Sequence, residues 1–79
     1  MENDKPKQDL KVSLAGGLKY HRSVLGISQE ELARRASLDP SYVADLELAA
    51  RSPSIESIEK LADALRVPVA ELFQAPDSE

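Results

Sequence analysis

Asp39, Ser41, Ala44 and Asp45 are the side chains with which this chain has most to offer another molecule. A serine hydroxyl can bond several base edges, an alanine methyl can touch the methyl of thymine, and a carboxylate such as Asp45 can accept from cytosine N4. With Pro40 they form a small, polar set that lacks Arg for guanine and Asn or Gln for adenine, the usual two-pronged partners. Two of them have plainer roles. Asp39 precedes Pro40, so capping a helix comes ahead of base contact. Asp45 suits a solvated surface acid nearly as well as a cytosine reader. Catalysis has little to work with: His21 has no nucleophile motif, Gly-rich phosphate loop or paired metal ligands around it, and reads as an ordinary surface or half-buried histidine. There is no cysteine, and a single histidine cannot build a metal site alone. The expectation is a non-enzymatic binding protein without metal or cofactor.

Positioning those side chains falls to Ser28–Glu47, SQEELARRASLDPSYVADLE. Ser28 can cap a helix, and Glu31 three residues on can close a capping box. Leu32, Ala33 and Ala36 recur at helical spacing, giving a helix over Gln29–Ala36. Ser37-Leu38 interrupts the pattern, and Asp39-Pro40 restarts it over about Pro40–Leu48, with Val43, Leu46 and Tyr42 as its inward face. A helix set across a short turn from another is helix-turn-helix geometry, in which the second helix can enter a major groove.

Upstream, polar residues 1–8 read as a flexible arm. A first helix is expected from Asp9, itself a reasonable cap, through Leu10, Leu14, Leu18 and Leu25 to Gly26. Gly16-Gly17 within it costs about 1 kcal/mol per Gly relative to Ala. The pair marks a kink, a later helix start, or a close helix–helix contact. Downstream, a polar loop from Ala50 to Pro53 leads to Ser54, the cap of a fourth helix with Ile55, Ile58, Leu61, Ala62 and Leu65 on one stripe. Val67-Pro68 restarts a short fifth helix carrying Val69, Leu72 and Phe73, and residues 75–79 form a tail. The fold class is all-α, a compact five-helix domain over residues 9–74.

Seventy-nine residues make one small domain, and 42% hydrophobic content suffices for a helical bundle. The opening residues MENDKPKQD are unlike a signal peptide, and no apolar run approaches the ~20 residues of a membrane span, so a cytoplasmic protein is expected. The net charge of −4 argues against nucleic acid until it is located. Residues 1–17 and 18–51 are each balanced, and the whole excess of acid lies in residues 52–79. It sits downstream of the candidate reading unit, where it can face away from DNA.

Leu18, Arg22, Gly26, Ser28-Gln29-Glu30-Glu31-Leu32-Ala33, Tyr42-Val43, Leu46-Glu47, Arg51, Pro53-Ser54, Leu61-Ala62, Ala64-Leu65 and Glu71-Leu72-Phe73 together resemble the XRE family, the lambda-repressor-like, Cro-type helix-turn-helix domain. The resemblance covers about residues 18–73. It implies a five-helix fold, operator DNA bound by a two-fold homodimer, and a role in transcription, such as that of a repressor. Small regulators of restriction–modification operons have nearly this length and architecture. It also implies site roles: Gln29 and Arg51 on phosphates; Asp39, Pro40, Ser41, Ala44 and Asp45 at the base-reading positions; Tyr42 among the other DNA-binding residues; and Arg22 with Glu47 as a partly buried salt bridge. Arg34 and Arg35 read as a solvated face, and Lys19 and Tyr20 as low-specificity backbone contacts. Two positions depart from the family pattern, which commonly has Gly at Ser37 and at Ala49. The expectation is a locally adjusted backbone, above all at Ala49, where a somewhat longer third helix would remove the need for glycine.

A small domain cannot bury every apolar side chain of the last two helices, and Val67, Val69, Leu72 and Phe73 are the candidate dimer interface, with Asp63 or Glu71 at its rim. The competing reading is an adaptor or antitoxin-like interaction module on the same fold, favoured by the acidic balance and by Asp39 and Asp45 on the reading helix.

Overall fold

The computed structural model describes residues 9–73, and all of them fold around one core. Five helices follow in order: α1 Asp9–Leu25, α2 Gln29–Ala36, α3 Pro40–Glu47, α4 Ile55–Leu65 and α5 Val69–Leu72, with no strand among the described residues. The arm expected over residues 1–8 and the tail over 75–79 lie outside the described residues, as does the side chain of Asp9 with its capping role. Leu14 and Leu18 of α1, Leu32, Ala33 and Ala36 of α2, Val43 and Leu46 of α3, Leu61, Ala62 and Leu65 of α4 and Leu72 of α5 form the core. These residues recur at the helical spacing read from the sequence, but Leu10 and Leu25 of α1 and Ile55 of α4, expected on the same stripes, are exposed at the helix ends instead. Tyr42 packs against this core from the edge, half-buried.

Gly17 decides how α5 docks. A Cβ at Gly17 would fall 2.9 Å from the Leu72 carbonyl carbon and closer still to its oxygen, whereas one at Gly16 would meet nothing. Of the three readings of the glycine pair, the close helix–helix contact is the one realised, between α1 and α5. The same docking corrects the place given to Leu72. It is fully buried, so it belongs to the core and cannot form a dimer surface. Val69 stays exposed, while Val67 and Phe73 are half-buried against the core.

Each of the first four helices stops at a left-handed residue. Gly26 has φ 70°, Ser37 58°, Ala49 58° and Arg66 64°. The following amide in each case reaches back to a carbonyl in the last turn: Ile27 to Arg22 at 3.2 Å, Leu38 to Ala33 at 2.8 Å, Ala50 to Asp45 at 2.9 Å and Val67 to Ala62 at 3.0 Å. This is the Schellman pattern, which satisfies carbonyls that the helix leaves open. The expectation of an adjusted backbone at Ser37 and Ala49, with a longer third helix, is therefore corrected. Helix α3 ends at Glu47 with Leu48 as its cap, and both non-glycine residues take up positive φ. Such a residue costs about 1–2 kcal/mol, which the recovered hydrogen bonds offset.

Candidate nucleic-acid interface

Helix α2 begins as expected at Ser28, whose Oγ accepts the Glu31 amide at 3.0 Å. The reverse half of the capping box does not form. The Glu31 carboxylate turns instead along the helix to Arg34 and Arg35, with the Arg35 contact at 2.7 Å. The Arg34 and then the Arg35 bonds hold its carboxyl down to about 2. The spacing of three and four residues made this cluster readable, since such side chains are neighbours on a helix. Two arginines on α2 are thereby held at the surface with their charge half-balanced.

Asp39 caps α3. Its Oδ1 accepts both the Ser41 amide and the Ser41 hydroxyl at 2.9 Å, and these two bonds hold its carboxyl below the usual range. Pro40 occupies the first turn, where its missing N–H costs nothing. Val43 and Leu46 face inward, leaving Pro40, Ser41, Ala44 and Asp45 on the open side, with Ala44 and Asp45 partly shielded. The reading face inferred from the sequence is thus presented as one surface. Ser54 caps α4 in the same manner as Ser28 caps α2, accepting the Ser57 amide at 3.1 Å.

Beneath that surface lies the ion pair. Arg22 Nε reaches Glu47 Oε2 at 2.8 Å and Nη2 reaches Oε1 at 2.9 Å, a two-pronged contact between α1 and α3. Arg22 Nη1 donates to the Ile27 carbonyl at 3.0 Å. The Glu47 side chain is only 3% exposed, against 23% for Arg22. The bond to Glu47 raises the Arg22 pKa above its usual value. Sequence reasoning paired these two residues but missed the third member. Gln29 Nε2 donates to Glu47 Oε1 at 2.9 Å, so its amide is anchored at the foot of α2 rather than free. An amide nitrogen carries a second N–H, which this bond does not use.

Three further contacts escaped the sequence. The Arg51 guanidinium lies 5.2 Å from the centroid of the Tyr42 ring and contacts Asp45 Oδ2 at 3.4 Å. The Tyr42 hydroxyl accepts the Ser54 amide at 3.3 Å. Tyr42 therefore braces the loop between α3 and α4 and sets Arg51 beside the open side of α3. No local spacing announces these contacts, because they cross the helix end at Ala49. Of the five acids between Gln29 and Glu47, three, Glu31, Asp45 and Glu47, each meet an arginine.

Among the described residues no group of three or more His, Cys, Asp or Glu is placed to hold a metal ion, and no helix is long and apolar enough to cross a membrane.

The sequence model of the Helix-turn-helix family matches residues 18–72, which contain α2, α3 and their supports. A hypothetical transcription factor from Neisseria meningitidis serogroup B is 40% identical over 70 residues, 89% of this chain. The chain spans 66% of the length of that relative. The crystal structure of a hypothetical Neisseria transcription factor aligns with a TM-score of 0.82 at 37% identity, over 96% of this chain and 85% of the other. The restriction–modification controller protein C.AhdI from Aeromonas hydrophila gives 0.76 at 40% identity, over 78% of this chain and 94% of the controller. A second controller, C.Esp1396I, solved as a tetramer with its natural 35 base-pair operator, gives 0.69 at 30% identity, over 87% of this chain and 88% of the controller.

Proposed function

The chain belongs to the XRE-type helix-turn-helix family, and from that premise we propose that it is a sequence-specific DNA-binding regulator of transcription that acts on operator DNA as a homodimer. The observation that carries the reading is the open side of α3, where Ser41 is exposed among the described residues, on a helix locked to α1 and α2 through Glu47. A helix held this way across a short turn fits a major groove. Gln29 at the start of α2 has a spare amide N–H where the helix dipole draws phosphate, and Arg51 stands at the edge of the same face. The likeness to a controller solved on its operator supports the choice of DNA as partner.

One such helix spans a few base pairs, and this one has few strong base-reading groups, so two copies are needed to discriminate. The dimer surface uses Val69, with Val67 and Phe73 at its margin. Asp63 and Glu71, both exposed, suit its rim. This role assigns no catalytic step to the chain, and it places the protein in the cytoplasm, where DNA is accessible.

Titrating the protein against duplex from upstream of its own gene at several salt concentrations tests the reading. A binder loses affinity steeply, log affinity falling against log salt by about 0.9 per phosphate neutralised. An adaptor that keeps only the fold shows no binding and no slope. Sedimentation at micromolar concentration tests the dimer, and a strictly monomeric protein that binds a palindromic operator without cooperativity would contradict it.

A further inference from the structure

We propose that α3 reads base edges as an acceptor-only surface: Ser41 Oγ and the Asp45 carboxylate take N–H groups of cytosine N4 or adenine N6, and guanine is refused where they point. This rests on the DNA-binding reading above and names what that interface selects.

The proton of the Ser41 hydroxyl is already placed. Ser41 Oγ lies 2.9 Å from Asp39 Oδ1, and the same oxygen takes the Ser41 amide at 2.9 Å. Asp39 is an anion, held below the usual carboxyl range by those two bonds, and has no proton to give. The hydroxyl is therefore the donor. What Ser41 shows to a groove is lone pairs. An unattached serine turns its hydroxyl to suit either kind of base edge; this one can do so only by giving up a charge-assisted bond.

Asp45 lies four residues on, one turn along the same face, and an ionised carboxylate only accepts. Its side chain is 42% exposed, and Arg51 engages Oδ2 alone. Ala44 between them adds a methyl, suited to thymine. The donor-rich Arg51 is stacked on Tyr42 at the rim and tied to Asp45. Guanine offers only N7 and O6 in the major groove, both acceptors, and here they would meet lone pairs and negative charge. Cytosine and adenine each present an amino group.

The test is selection from a randomised duplex library by the purified full chain, repeated with Ser41→Ala, Asp45→Ala, Asp39→Ser and Asp45→Asn. The positions whose base frequencies shift in the two alanine variants locate the two side chains. There the unsubstituted protein should select cytosine or adenine, and guanine should weaken binding about ten-fold or more. Asp39→Ser keeps a capping hydroxyl but removes the fixed carboxylate, so guanine tolerance should rise at the Ser41 position alone. Asp45→Asn should raise it at the Asp45 position alone. Guanine preferred by the unsubstituted protein at either position overturns the proposal. So does unchanged base preference in both alanine variants with binding intact, which would assign selectivity to DNA shape. A chain that retains no duplex even at low salt fails differently, removing the DNA-binding reading itself and the acceptor surface with it.

Discussion

Arg22–Glu47 and Arg51–Asp45 join the same two kinds of side chain in opposite settings. The first has two contacts of 2.8 and 2.9 Å around a carboxylate 3% exposed, with Gln29 as a further donor. The second has one contact of 3.4 Å between side chains 54% and 42% exposed. Burial decides their roles. A carboxylate shut away from water depends on each of its donors, so the first pair fixes how α1, α2 and α3 meet. A solvated pair is worth about 0–1 kcal/mol, so Arg51 can leave Asp45 at little cost, as the phosphate role proposed for it requires. One pair builds the reading unit, and the other waits at its surface.

The largest effect should come from breaking the buried pair on its more exposed side. Arg22→Ala strands the enclosed Glu47 charge and also frees the Ile27 carbonyl, and should cost about 3–5 kcal/mol by urea denaturation. That is a large part of the roughly 5–15 kcal/mol available to a domain. Glu47→Ala should cost less, because Arg22 has water beside it and keeps Ile27. Equal losses in the two variants would break the contrast in burial.

The neighbouring glycines offer a second contrast of enclosed against open. Gly17→Ala drives a methyl into the Leu72 backbone and should destabilise by about 1–3 kcal/mol, since α5 must shift. Gly16→Ala meets nothing and should stabilise by about 0.5–1 kcal/mol. Thermal melts of both variants check this, and like signs would contradict the packing of α5 on α1. Smaller still, Ala49→Gly should stabilise by up to about 1 kcal/mol, as relief of positive φ outweighs the added freedom of the unfolded chain.

The smallest effect belongs to the exposed cluster on α2. Glu31 titrates near 2 when folded, below its ordinary 4.5. Its contribution is therefore complete above the ordinary value and is lost as pH falls through about 2. Glu31→Gln should flatten that acid limb of the stability curve and leave neutral DNA binding almost unchanged.

Local chemistry made most of the fold legible. Ser28, Asp39-Pro40 and Ser54 announce helix starts within a few residues of themselves, and the leucine stripes announce the faces. The helix ends were harder. Ser37, Ala49 and Arg66 hold conformations usually left to glycine, and only the backbone bonds made in the folded chain explain why they do. The site divides the same way. Capping by Asp39 follows from adjacent residues, and Arg22–Glu47 followed from a family resemblance. The Gln29–Glu47 bond, the Tyr42–Ser54 brace and the Arg51–Asp45 contact depend on how α1, α2, α3 and the loop after α3 come together, which no spacing encodes. Leu72 was misplaced for a related reason: an apolar residue on a four-residue helix serves core and interface equally well until Gly17 fixes how deeply that helix docks.

Arg51→Ala tests most directly whether the exposed pair serves DNA while the buried pair serves the fold. Stability and DNA affinity should be measured on the same preparation across a salt series. The account predicts unchanged stability within about 0.5 kcal/mol, weaker binding to all sequences alike, and a salt slope reduced by about one. A variant that loses stability while keeping its affinity and salt slope would contradict it.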